Sequence, residues 1–285
     1  MVNMKDFLGF RLLPEVASAH GEYLDEILLY LHILMIALAL GWGLYLIVAL
    51  FKFRAGRGHK ADYHGVQSSF GKYVEIGVVV VEVILLLGFS IPFWKDWATA
   101  EEQMANSNEE GATVVRVVAQ QFHWNFHYAG PDGRFGMVSP KFYDKNPVGL
   151  DPDDPWGQDN FVTIHEMHVP VGKRVVAYIT SRDVIHGFGI PAMRVKQDAT
   201  PGVEVPISWV PTKEGVYEIA CSQLCGAGHG LMRAVLVVHG EDDYKDWLAQ
   251  QYDLNSVDKM VTNKTTTIPK KNGKVQVFAA SESKN

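Results

Sequence analysis

Cysteine is scarce in this chain, which has only Cys221 and Cys225 among its 285 residues. A disulfide between positions so close together would constrain little of the unfolded chain, so a disulfide-stabilised scaffold is excluded. The sequence also lacks a Cys-x-x-Cys-His motif, which excludes covalent attachment of haem c. The two thiols are therefore better interpreted as metal ligands.

Positive charge is not in excess either, since 26 Lys and Arg face 32 Asp and Glu. This balance argues against a nucleic-acid-binding protein and leaves room for a basic protein partner. Hydrophobic residues make up 47% of the chain, enough for at least one packed core. Asp6, Arg11 and Glu15 interrupt any apolar stretch near the start, so we expect no cleavable signal peptide there.

Two apolar stretches predict membrane-spanning helices. Residues 27–51 contain no Asp, Glu, Lys or Arg, and about 20 apolar residues suffice to cross a bilayer. The stretch 76–93 is interrupted only by Glu82 and predicts a second span at about 74–94. The loop between them is basic, through Lys52, Arg54, Arg57, Lys60 and Lys72. The outer flanks are acidic, through Glu22, Asp25, Glu26, Asp96, Glu101, Glu102, Glu109 and Glu110.

This charge asymmetry orients the hairpin, because cytoplasmic loops carry the excess of Lys and Arg. Both termini are therefore predicted on the extracytoplasmic side of a bacterial cytoplasmic (inner) membrane. Four parts follow: an extracytoplasmic segment 1–26, a transmembrane hairpin 27–94, a β-rich domain 112–252 and a polar tail 253–285.

The β-rich domain is predicted from short β-branched and aromatic runs separated by turn residues. These runs are TVVRVVA, FHWNFHY, FVTIH, RVVAYITS, VEVPISWV, VYEIA and RAVLVVH. Their spacing indicates a β-sandwich or barrel, with a long insertion loop at 137–160 and a helix at 241–251.

Both cysteines lie in one loop with the order Cys221-x3-Cys225-x3-His229-x2-Met232. Thiolate, imidazole and thioether form the ligand set that redox-active copper prefers. A mononuclear copper site needs one thiolate, so the second indicates two bridged metals that require a second imidazole. His186 follows the strand RVVAYITS and can supply it. The alternatives are a disulfide with unrelated neighbours, or a structural zinc site that would have no use for Met232.

The hairpin, the aromatic run after it, and the motifs DVIHGFGIP, KQDATPG and CSQLCGAGHGLM resemble subunit II of haem-copper cytochrome c oxidases over roughly residues 25–250. The resemblance implies a cupredoxin-like domain with a dinuclear CuA centre bridged by Cys221 and Cys225. One copper would also take His186 and Met232. The other would take His229 and the backbone carbonyl of Gln223.

The same resemblance implies the function. The chain would accept single electrons from a cytochrome c, or a cytochrome c domain, and pass them to haem in subunit I. There oxygen is reduced to water and protons are pumped, with further membrane subunits and lipid as partners. Phe122 stands where relatives carry the tryptophan that receives electrons, so Trp124, Phe122 or another aromatic residue would mediate this step. Glu75 aligns with the mouth of a proton pathway, and Gln223 replaces a glutamate that helps hold Mg²⁺, which should weaken magnesium binding.

Three other functions stay open from the sequence. A haem-copper nitric oxide reductase with a CuA subunit would keep the copper and change the substrate of the partner. A quinol-oxidase-type scaffold subunit would share the fold without metal, and a membrane-tethered electron carrier would act without haem-bearing companions.

Several further polar residues carry weaker expectations. The acidic residues of the insertion loop could form a docking face for a basic cytochrome: Asp144, Asp151, Asp153, Asp154 and Asp159. Asp183 and Asp198 are expected to support the metal site or a subunit interface. His165, His168 and His239 lack a matching cysteine and are expected on the strand surface.

Overall fold

The computed structural model describes residues 13–54, 63–64, 68–98 and 111–263. Several residues behind the signal-peptide and topology predictions lie outside this part of the chain: Asp6, Arg11, Arg57, Lys60, Glu101, Glu102, Glu109 and Glu110. The tail beyond residue 263 also lies outside it.

The two apolar stretches form helices. Helix α1 runs from Gly21–Lys52, and helix α2 from Phe70–Leu85 continues through a π-helical turn at Leu86–Ser90 into α3 at Ile91–Ala98. The wide turn has a local cause, because Pro92 cannot donate a backbone hydrogen bond to the preceding turn. Both helical runs have the length and hydropathy of membrane spans.

The rest of the described chain is dominated by ten strands, which we call the sandwich domain: β1 (Thr113–Gln120), β2 (His123–Tyr128), β3 (Phe161–Ile164), β4 (Glu166–Pro170), β5 (Val175–Ser181), β6 (His186–Ile190), β7 (Val195–Ala199), β8 (Val205–Trp209), β9 (Gly215–Cys221) and β10 (Arg233–His239). They form two five-stranded sheets in the orders β3-β2-β1-β5-β8 and β4-β10-β9-β6-β7. The pairs β1–β5 and β4–β10 are parallel, and the other pairs are antiparallel.

The core lies between the two sheets, where alternate side chains of each strand point inward. In β1 the inward positions are Val115, Val117 and Ala119, each fully buried. Trp124 and Trp209 fill the same layer with 0% and 1% exposure. The predicted cupredoxin-like sandwich is confirmed.

All seven predicted strands are present, but three more were not predicted. Strand β6 (HGFGI) contains two glycines and reads as a turn, while β7 (VKQDA) is mostly polar. Both form because β9 and β7 pair with the two sides of β6, so tertiary pairing overrides their local propensity. Strand β4 is added beside β10 in the same way.

Helix α4, Glu241–Asn263, is longer than the predicted 241–251 and packs against β3, β4 and β10. The expectation that His168 lies on the strand surface is wrong for this reason, whereas His239 is half-buried. Trp247 of α4 stacks on the His168 ring at 4.3 Å, and His168 is 8% exposed. Its Nδ1 lies 2.8 Å from His239 Nε2. His165 is exposed, as expected.

Candidate metal centre

The residues from Cys221 to Met232, the cysteine loop, connect β9 to β10. Strand β9 ends at Cys221, a 3-10 turn covers His229–Leu231, and β10 begins at Arg233. The Cys221 amide donates to the Met232 carbonyl at 3.1 Å, which closes the loop at its base. The first and last predicted ligands of the loop are therefore held side by side by the sheet.

The two thiols form the centre of the site. Cys221 Sγ and Cys225 Sγ are 3.7 Å apart, and both cysteines are free and buried. A disulfide would require about 2.05 Å. Burial, followed by the neighbouring Cys221 thiol, raises the pKa of Cys225 to about 11. A bound metal cation would have to displace that proton, because the thiolate is the form that ligates.

One imidazole lies beside each of the two thiols. His186 Nδ1 is 4.0 Å from Cys221 Sγ, and His229 Nδ1 is 3.7 Å from Cys225 Sγ. The Met232 sulfur is 3.8 Å from Cys225 Sγ and fully buried. The Cys221 thiol donates to the Gln223 carbonyl at 3.1 Å. All six predicted ligand positions therefore come together around the sulfur pair.

His186 is the first residue of β6 and is fully buried, rather than placed in a turn after β5. Its Nε2 lies 2.8 Å from the Asp183 carboxylate, which leaves Nδ1 directed to Cys221. Partial burial raises the pKa of Asp183, but hydrogen bonds from the Gln121 amide, His186 and the Val184 amide outweigh it and the net pKa is lowered. A charged carboxylate behind a ligating imidazole fixes its tautomer and orientation.

Two glycines allow close approach to the cysteine loop. A Cβ at Gly187 would lie 2.4 Å from Ser222 Oγ, and a Cβ at Gly228 would lie 2.5 Å from the Phe122 ring. Phe122, in the turn between β1 and β2, therefore rests directly on the loop. Gln121 in the same turn donates from Nε2 to the Cys225 carbonyl at 2.7 Å.

The two aromatic candidates occupy different environments. Phe122 is half-buried, whereas Trp124 is fully buried with its ring centroid 6.1 Å from that of His186 and 5.4 Å from that of Phe188. Only Phe122 of these two can contact another protein. Trp124 instead supports the His186 ring from within the core.

Other predicted residues lie away from the sulfur pair. Glu75 is exposed in the first half of α2, with Glu82 seven residues further along the same helix. In the insertion loop, Asp154 accepts hydrogen bonds from the Met137 and Trp156 amides, and Asp151 accepts one from the Asp153 amide. These two carboxylates stabilise the loop itself, and the docking role of the acidic group stays a prediction.

The donor set is soft and redox-compatible. His186, Cys221 and Cys225 offer ligand atoms that all lie within 4.8 Å of one another, and every one of these residues is buried. Thiolate, imidazole and thioether together suit copper better than zinc or magnesium. The arrangement can hold a metal that exchanges single electrons while excluding most solvent.

Comparison with known proteins agrees with this chemistry. Residues 113–239 match the family described as "Cytochrome C oxidase subunit II, periplasmic domain". The chain is 34% identical over 215 residues to the "Alternative cytochrome c oxidase subunit 2" of Bradyrhizobium diazoefficiens, covering 73% of each protein. The chain belongs to the cytochrome c oxidase subunit II family. It is therefore a subunit of a haem-copper oxidoreductase complex, with a membrane anchor and an extracytoplasmic domain.

Two further relatives of this subunit II chain cover its sandwich domain. The cytochrome c oxidase subunit 2 of Thermostichus vulcanus is 44% identical over 137 residues, which are 48% of this chain and 33% of that one. The crystal structure of the periplasmic domain of subunit II (CoxB) of Bradyrhizobium japonicum is 28% identical, with a TM-score of 0.37, over 50% of this chain and 94% of that one. The subunit II family binds CuA, and the buried His/Cys/Cys group is compatible with it.

The contacts that support the ligands were predicted less completely than the ligands. The sequence predicts Asp183 near the site without defining its partner, and it gives no indication of Gln121. No local pattern identifies Gln121, because its hydrogen-bond partners are 62 and 104 residues away in sequence.

Proposed function

We propose that this subunit holds a dinuclear CuA centre that accepts single electrons from a cytochrome c and passes them to haem in subunit I. There oxygen is reduced to water and protons are pumped. The centre would be held by His186, Cys221, the Gln223 carbonyl, Cys225, His229 and Met232. When bound, the two copper ions supply rapid one-electron exchange with little change in geometry.

One observation carries this proposal: two buried, unoxidised thiols 3.7 Å apart, each with an imidazole nitrogen within 4.0 Å. A mononuclear copper site of the blue-copper type uses one thiolate and would leave the second thiol unused, and a structural zinc site would have no use for the buried Met232 thioether. Two sulfurs with an imidazole beside each supply a bridging pair and a terminal ligand for each of two metals.

The chain's own residues contribute rigidity and orientation. Asp183 holds the His186 ring, and Gln121 holds the Cys225 carbonyl. Burial of the thiols excludes water, which reduces the solvent rearrangement that accompanies a change of charge.

Phe122 is the proposed contact for the electron donor. It is half-buried and rests on Gly228 of the cysteine loop, whereas Trp124 lies in the core. Leu224 and Leu231 of the same loop are 80% and 85% exposed, so the cysteine loop presents two large apolar side chains at its surface. Their exposure supports coverage of the loop by partner proteins in the assembled oxidase.

The remaining roles concern the membrane and magnesium. Glu75 is proposed at the cytoplasmic mouth of a proton pathway into subunit I, with both termini and the sandwich domain on the extracytoplasmic side of a bacterial inner membrane. Gln223 offers a neutral amide where a carboxylate would attract Mg²⁺, so magnesium at the interface is proposed to be weak.

The test is electron paramagnetic resonance of the copper-loaded oxidase. Wild-type protein is expected to show one unpaired spin shared equally by two copper nuclei. Cys221→Ser and Cys225→Ser should each abolish that spectrum. Leu224→Ala is the matched control, because Leu224 lies between the cysteines but is exposed and should leave the spectrum intact. A dinuclear spectrum in both cysteine variants, or a mononuclear one in wild type, contradicts the assignment.

A further inference from the structure

The segment that precedes α1 is packed into the sandwich domain. Ala17 and Ser18 are 0% and 1% exposed, and Ala17 belongs to the core between the sheets. The Ala17 amide donates to the Ala192 carbonyl at 2.9 Å, and Ser18 Oγ donates to the Met193 carbonyl at 2.7 Å. The turn at Pro191–Met193 therefore receives the chain just before it enters the membrane helix.

The next residue in that turn, Arg194, has an unfavourable backbone conformation. Its φ is 55°, in the left-handed region that glycine adopts without cost and arginine does not. Such a conformation persists when the side chain makes interactions that compensate for it.

The Arg194 guanidinium makes several such interactions. Its Nε and Nη2 donate to the two carboxylate oxygens of Asp25 at 2.8 and 2.9 Å, and Nη2 also donates to the Pro14 carbonyl at 3.0 Å. The two side chains of this ion pair are 10% and 19% exposed. Paired, partly desolvated hydrogen bonds of this kind are geometrically specific and stronger than those of surface ion pairs.

The contact joins the membrane anchor to the metal site by a short path. Asp25 lies in the first turns of α1, which begins at Gly21. Arg194 follows β6, whose first residue is His186. Packing at this junction is tight, since a Cβ at Gly21 would lie 2.7 Å from Val16 Cγ1 and 3.2 Å from Arg194 Cγ.

We propose that Arg194 is a positioning residue: through Asp25 and the Pro14 carbonyl it fixes the sandwich domain on helix α1. This inference rests on the proposed function, because its consequence is that the copper centre keeps a constant distance and orientation relative to haem in subunit I. Through this ion pair, helix α1 helps to set the position of the copper centre relative to haem, in addition to attaching the domain to the membrane.

The experiment uses the assembled oxidase in lipid nanodiscs. Arg194→Gly keeps the left-handed backbone and removes the guanidinium, so backbone strain does not complicate the result. Asp25→Asn removes the other charge and serves if the first variant assembles poorly. Lys213→Ala is the matched control, because Lys213 pairs with Glu15 in the same leading segment but both side chains are about half exposed.

Two measurements separate the steps of the inference. Hydrogen exchange of the Ala17 and Ala19 amides, which bond to the Ala192 and Val210 carbonyls, should become about tenfold faster or more in Arg194→Gly and Asp25→Asn, and stay unchanged in Lys213→Ala. Flash-induced electron transfer from the copper centre to haem should slow in the same two variants, while the copper resonance spectrum stays that of wild type.

Each contrary outcome is distinct. Unchanged exchange in both variants overturns the fixing of the domain by Arg194. Faster exchange with an unchanged transfer rate overturns the positioning role. If the wild-type protein shows no dinuclear copper spectrum, the proposed function is contradicted instead. The hydrogen-exchange data then still test whether the contact between Arg194 and Asp25 fixes the domain.

Discussion

The pH dependence of stability can be worked out from one buried histidine. His127 in β2 is fully buried, and its Nε2 lies 2.9 Å from Asn160 Oδ1. Burial lowers the pKa of His127 from 6.5 to about 4. The Asn160 side chain also accepts from the Gly136 amide at 3.0 Å, so this contact fastens the insertion loop to the sheet.

The direction in which stability changes with pH follows from proton binding to His127. Between the folded-state pKa of about 4 and the unfolded value of 6.5, the unfolded chain binds the proton and the folded protein does not. The contribution of His127 to the free energy of unfolding is therefore complete above the unfolded-state pKa. It is lost as the pH falls through this window. The difference between the two pKa values corresponds to about 3 kcal/mol once the folded protein is protonated as well, of which about 2 kcal/mol is lost by about pH 5.

The assay is urea unfolding of the detergent-solubilised chain between about pH 5 and pH 7.5, followed by the fluorescence of the buried tryptophans. His127→Gln replaces the imidazole donor with an amide donor and removes the titration. It should therefore reduce the pH-dependent loss of unfolding free energy by about 2 kcal/mol. The exposed His165→Gln is the control and should leave the slope unchanged. Burial also lowers the pKa values of His20, His123, His168 and His239, which contribute to the slope that persists. A wild-type slope in His127→Gln would refute the reasoning.

The remaining predictions concern the metal centre. Met232→Leu removes a weak thioether ligand and should leave the centre assembled with a potential raised on the order of tens of millivolts, measured by redox titration. Gln223→Glu should increase the magnesium content of the purified oxidase with little change in the copper spectrum; an unchanged content rejects this role. Asp183→Asn removes the charge behind a ligating imidazole and should weaken copper retention about 10- to 100-fold against a chelator. Gly228→Ala places a methyl group against the Phe122 ring and should slow electron acceptance at unchanged copper content; a wild-type rate contradicts contact between donor and ring.

The sequence was most informative where the chemistry is contiguous. Four of the predicted ligand side chains lie within twelve residues, so spacing alone indicated a metal loop. His186 was predicted from its place after a strand, and the structure brings it to the sulfur pair although it is 35 residues from Cys221. Period-two patterns located the strands with β-branched or aromatic residues, because such patterns report burial on one face.

The failures share a physical cause, which is dependence on partners distant in sequence. Strand β6 contains Gly187 because the cysteine loop passes too close for a side chain, and that same glycine weakens the strand pattern. His168 looked like a surface residue because the helix that covers it begins more than seventy residues later. Neither effect is visible in a local window of sequence.

Gln121 shows why the supporting contacts matter as much as the ligands. Its backbone amide donates to Asp183 Oδ2 at 2.7 Å, and its side chain donates to the Cys225 carbonyl at 2.7 Å. Because Asp183 in turn orients His186, one residue of the β1–β2 turn bears on both the histidine from β6 and the cysteine loop. A displacement of that turn would therefore move both sets of ligands together. Such coupling suits a centre that changes charge at each turnover, since ligands held by a common support rearrange less than ligands held independently.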